Sequence, residues 1–135
     1  MPFLDNVTRG RNVPRERLLE VAEHYHHYGG VSPINHQNRE LIAALERDLA
    51  THGIDLPIYF GNRNWKPFVT DAIARMRADG VGRALVFVTS AFSSYSGCRQ
   101  YRENVIGALD ALGLTEVDIA FDKVRVFYNH LGYVR

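Results

Sequence analysis

Two periodicities run along the chain, and one gives way to the other near Leu56. Before that point apolar side chains recur at helical spacing. Leu18, Ala22 and Tyr25 stand at i, i+4 and i+7, with Leu19 widening the stripe, which predicts an amphipathic helix over 14–28. Ile34, Leu41, Ile42, Leu45 and Leu49 mark a second helix over 33–52, closed by Gly53. Beyond it, short apolar runs alternate with helical segments: a run at 56–60, a helix over 67–78, a run at 84–89, a helix over 99–112 and a run at 117–121. This order predicts an α/β fold, βαβαβ with a parallel sheet. Ala84 to Val88 is apolar at every position rather than alternating, as expected of a central strand covered by helices on both faces.

The junction between the first two helices is sharply specified. Gly29-Gly30 ends one helix, Ser32 suits the N-cap of the next and Pro33 its first position. The amides of that next turn form a seat for an anionic group, and a well-capped turn between packed helices is the competing reading. His24 and Tyr25 lie in the last turn before the glycines. His24, His26 and His27 do not make a metal site by spacing, since adjacent histidines point to different faces and no carboxylate joins them.

Composition narrows the function. A chain of 135 residues with 46% hydrophobic content fits one domain, 1–135, with one core. A net charge of +1 gives no bulk drive toward nucleic acid or an anionic membrane, so partners must be argued from sites. One cysteine, Cys98, allows no disulfide within the chain and no thiolate cluster, and a reducing cytoplasm fits best. No apolar run reaches the roughly 18 residues of a spanning helix, and the start has no signal-peptide pattern.

In open parallel sheets, ligands bind beyond the carboxyl ends of the strands, which directs attention to two loops. Gly61 to Trp65 offers a guanidinium, two amides and an indole; Thr89 to Gly97 offers four serine hydroxyls and two aromatic rings. Tyr101 can reach the same rim, flanked by Arg99 and Arg102. An aromatic ligand with polar edges suits this set. Neither GxxxxGK[ST] nor GxGxxG occurs, and Ser96-Gly97 lacks the GxSxG elbow of a serine hydrolase. Near the start, Thr8-Arg9-Gly10-Arg11 sets two arginines on one turn, suited to carboxylate or phosphate, with a solvated surface turn as the alternative.

The strings NVTRGR (6–11), HYGGVSPIN (27–35), YFGNRNWKPF (59–68) and TSAFSSYSGCRQYRE (89–103) resemble the N-terminal lobe of the ferrochelatase family, in the actinobacterial type that inserts ferrous iron into coproporphyrin III. The resemblance covers essentially the whole chain, in order and spacing. It implies a Rossmann-like, chelatase-type three-layer lobe, one of two that close on a macrocycle, and a lyase of haem biosynthesis. It also implies porphyrin contacts at Ser32 and Tyr101, pocket positions at His24 and Tyr25, and ring or propionate contacts at Thr8, Arg9 and Arg11. Arg63 and Asn64 are implied near the metal side. Coproporphyrin III and ferrous iron are the implied substrates.

The departures are as informative. The family's first strand, ahead of its PFL segment, is missing. The second lobe is also absent, with the histidine and glutamate that take the porphyrin protons and handle iron, so no residue here is expected to be catalytic or to bind metal. The iron-sulfur cluster of actinobacterial members needs several cysteines, and Cys98 alone is insufficient. The expectation is a ferrochelatase fragment, inactive alone, with either a second-lobe polypeptide or another copy of itself as partner. The alternative is a non-enzymatic module for porphyrin or haem binding or for assembly. A missing strand also predicts an exposed sheet edge and self-association.

Overall fold

The computed structural model describes residues 2–95 and 99–134, so Ser96, Gly97 and Cys98, all weighed above, lie outside the described residues. The chain divides into two compact units, Met1–Tyr59 and Phe60–Arg135.

The first unit is helical. Its opening residues form a short helix α1 (Pro2–Val7) that buries Leu4 and sets the Phe3 ring edge-on to Tyr25 at 5.8 Å. The helix α2 (Arg15–His27) follows the predicted stripe: Ala22 is buried and Leu18 and Tyr25 are half-buried, whereas Leu19 faces solvent and does not widen the stripe. Helix α2 ends in a paired backbone cap. The Gly30 amide donates to the Tyr25 carbonyl at 2.7 Å and the Gly29 amide to His26 at 3.1 Å. Gly29 has φ +82°, a left-handed value that only glycine adopts without strain. The same cap, with a glycine in the same place, closes α3 (Ile34–Thr51), α4 (Val69–Ala78) and α5 (Gln100–Ala111). Helix α3 matches the predicted span, yet none of its side chains is buried.

The second unit holds the sheet. Strands β1 (Arg83–Val86) and β2 (Ala120–Lys123) are parallel, with Arg83 opposite Ala120 and Val86 opposite Lys123. Helix α5 is the crossover between them. Helices α4 and α5 pack together over one sheet face, and the core there is Ile73, Ala108, Leu109 and Ile119, joined by half-buried Ala84 and Phe121. A parallel α/β arrangement is therefore present, reduced to two strands among the described residues.

Three sequence expectations need correction. Among the described residues the run at 56–60 pairs with no strand: Pro57 has no amide to donate, Leu56 is exposed, and the pairing nearby is an isolated parallel bridge between Asn62 and Phe68. The run at 117–121 starts late, at Ala120, because Thr115 to Asp118 folds into a turn. In that turn the Asp118 carboxylate accepts from the Thr115 amide and hydroxyl, both at 2.9 Å, and Val117 is left 96% exposed. Finally, β1 is not covered on both faces within this unit. Ala84 faces the helices, while Leu85, 71% exposed, shares its face with the Arg83–Asp122 ion pair.

After β2 the chain returns along the β1 exit, the Val124 amide donating to Val86 and the Tyr128 amide to Ala91. A short helix α6 (Leu131–Val134) closes an aromatic group: Phe87 stacks on Phe127 at 5.4 Å, Phe92 on Tyr128 at 6.0 Å, and Tyr133 meets Phe127 edge-on.

Candidate functional site

The predicted site residues fall into two groups, one in each unit. In the first, the TRGR segment is a tight turn: the Arg11 amide donates to the Thr8 carbonyl at 2.9 Å and Gly10 has φ +77°. The Thr8 hydroxyl is taken by the Leu4 carbonyl at 2.7 Å, which fixes the turn to the end of α1. Arg9 rests one terminal nitrogen on the Asn6 side-chain oxygen at 2.7 Å, and Arg11 is exposed. The turn itself, Thr8 to Arg11, contains no carboxylate.

At the junction of α2 and α3 the structure separates residues that the sequence set side by side. His24 is exposed, whereas Tyr25 is half-buried against Phe3, so the tyrosine ring also serves packing. The Ser32 hydroxyl oxygen accepts from the Ile34 amide at 3.4 Å. Pro33 already has helical dihedrals, φ −71° and ψ −8°, so Ser32 acts as the cap even though regular helix begins at Ile34. That bond occupies one of the amides proposed for an anion.

In the second unit the loop that carries Arg63 and Asn64 is drawn closed by its own backbone. The Asn62 amide donates to Pro67 at 2.6 Å, the Val69 amide returns to the Asn62 carbonyl at 3.0 Å, and the Asn62 side chain donates to Lys66 at 3.3 Å. Gly61 makes the closure possible: a Cβ there would stand 2.8 Å from the Val69 Cα. From this loop Arg63 crosses to α5. Its Nη1 donates to Gln100 Oε1 at 2.8 Å, and its guanidinium carbon lies 5.6 Å from the centre of the Tyr101 ring. Arg63, Asn64, Gln100 and Tyr101 are all half-buried.

The structure thus brings Arg63 and Tyr101 together, a cation laid on an aromatic face. Gln100 joins them. Arg99, placed on the same rim by the sequence, is committed elsewhere: it pairs with Glu103 at 3.0 Å and sits 5.9 Å from the Tyr95 ring centre. Among the described residues no three of His, Cys, Asp or Glu gather as a metal site.

Comparison with known proteins places this geometry in context. A family model described as ferrochelatase matches residues 1–135. A ferrochelatase of Rhodopirellula baltica is 61% identical over 134 residues, covering 99% of this chain and 38% of that protein. Coproporphyrin III ferrochelatases of Streptomyces coelicolor and Nocardia farcinica are 57% and 58% identical, covering 99% and 96% of this chain and 36% of each relative. The chain therefore spans little more than a third of the length of the curated relatives it matches, and over that span it belongs to the ferrochelatase family.

Proposed function

We propose that this chain supplies the porphyrin-gripping part of a ferrochelatase that inserts ferrous iron into coproporphyrin III, and that its two units are pieces of one Rossmann-like, three-layer lobe. The observation that carries the reading is the Arg63 guanidinium laid on the Tyr101 ring. A porphyrin with propionates has a flat aromatic body and anionic arms. An aromatic face beside a half-buried cation suits both parts at once. Arg9 and Arg11 on their turn, with Thr8, would meet further propionates; Ser32, His24, Tyr25 and Asn64 would line the ring. The names of the Streptomyces and Nocardia relatives support coproporphyrin III as the substrate, and ferrous iron follows from the family.

In this reading the chain holds and orients the macrocycle, and binding energy gathered at the propionates is available to bend the ring and expose its nitrogen lone pairs. Removal of the two pyrrole protons and delivery of iron belong to a second-lobe base and ligand outside these residues. One cysteine cannot hold an iron-sulfur cluster, so no cluster is assigned to the chain itself. The partners are a second-lobe polypeptide or another copy joined through the edge of the short sheet.

The test is a fluorescence titration with coproporphyrin III and with its tetramethyl ester. A charge-assisted hydrogen bond is worth about 1.5–3 kcal/mol, so Arg63→Ala should weaken the free acid about tenfold or more and the ester little. Tyr101→Ala should weaken both. Equal losses for acid and ester in the Arg63 variant would remove the carboxylate role.

A further inference from the structure

The geometry points to Gln100 as the positioning residue that fixes Arg63 for an anionic ligand while leaving its charge intact. The inference rests on the porphyrin-propionate reading above and goes beyond it in naming how the site selects for charge. Among the described residues Arg17 pairs with Glu20, Arg77 with Asp118, Arg83 with Asp122 and Arg99 with Glu103, while the exposed Arg9 has a neutral partner only within its own turn, Asn6 three positions away. Arg63 differs. Among the described residues its hydrogen-bond partner is the neutral Gln100 amide oxygen, 37 positions away, at 2.8 Å. A guanidinium has five N–H donors, so one bond to Gln100 fixes its plane over Tyr101 and leaves the others for a ligand. A glutamate at position 100 would hold the same plane but cancel the charge. A leucine would keep the charge and release the plane.

These alternatives give opposite failures, which a titration separates. Against coproporphyrin III, Gln100→Leu should weaken binding about three- to tenfold through lost orientation, and Gln100→Glu by more, about tenfold or above, through cancelled charge. The tetramethyl ester should register neither. In an Arg63→Ala background Gln100→Leu should be silent, because its effect passes through Arg63. A Gln100→Leu loss that persists without Arg63 overturns the inference, as does a Gln100→Glu variant that binds as well as wild type. An Arg63→Ala variant with undiminished affinity overturns instead the propionate reading on which it rests. A second measurement needs no ligand: side-chain nitrogen NMR of the free chain should show Arg63 terminal N–H groups in restricted rotation, released in Gln100→Leu. Free rotation in the wild-type chain overturns the positioning role regardless of the titration.

Discussion

Helices α3 and α5 carry apolar stripes of the same period and end in the same glycine cap, yet α5 buries Ala108 and Leu109 while α3 buries nothing. In α3, Leu41 and Leu45 remain 38% and 37% exposed. The difference lies in what each stripe meets. Helix α5 has α4 and one sheet face to close on, and the four residues Ile73, Ala108, Leu109 and Ile119 exclude water jointly. Spacing along a helix states which side chains share a face; it does not state that the chain contains a cover for them. Local order and packing are thus separable in this molecule, and the helical unit has much of the first and little of the second.

The sharpest way to break that comparison is truncation of one buried and one exposed side chain. Ile119→Ala removes a side chain with no exposure and should lower unfolding stability by about 2–5 kcal/mol, whereas Leu45→Ala should lower it by less than about 1 kcal/mol. Urea unfolding of both variants decides it. A large loss at Leu45 would mean that the α3 stripe is covered in solution.

A smaller effect is expected at Gly61, where alanine would drive its Cβ against the Val69 backbone. Gly61→Ala should lower stability by about 1–3 kcal/mol by denaturant unfolding, with no matching loss for Gly82→Ala, where a Cβ would meet open space. A neutral Gly61→Ala would show that the loop closes more loosely than its hydrogen bonds imply.

The smallest effect is one of pH. The Thr115 amide and hydroxyl that donate to the Asp118 carboxylate hold it below the usual carboxylate range, partly opposed by desolvation and helped by Arg77. A carboxyl held low in the folded state contributes stability above its ordinary pKa of about 4 and loses it as pH falls through the lowered value. Asp118→Asn keeps an acceptor for Thr115 but does not titrate, so its melting temperature should fall less steeply below about pH 4 than that of the wild type. Parallel acid limbs would remove Asp118 from the account.

Much of this architecture was legible in the sequence where one signal sufficed. Helices α2 to α5 follow from apolar period and a closing glycine, each within about two residues of its predicted bounds. The strands were harder, because an apolar run becomes a strand only when a neighbour pairs with it. Residues 56–60 have a proline and no partner, and Thr115 to Asp118 looks apolar-led at Val117 but is ruled by side-chain bonds to its own backbone. Of the site, Arg63 and Tyr101 announced themselves by charge and ring. Gln100 did not: a neutral amide carries no signature, and its role exists only through a contact made across 37 positions. The aromatic group of Phe87, Phe92, Phe127 and Tyr133 was missed for the same reason, since its members come from segments far apart in the chain.

The closed loop around Asn62 has a mechanical consequence. Backbone bonds to Pro67 and from Val69 shut it at its base, so position 63 is tied to the first turn of α4, and the seat of the guanidinium on the Tyr101 ring depends on that anchorage.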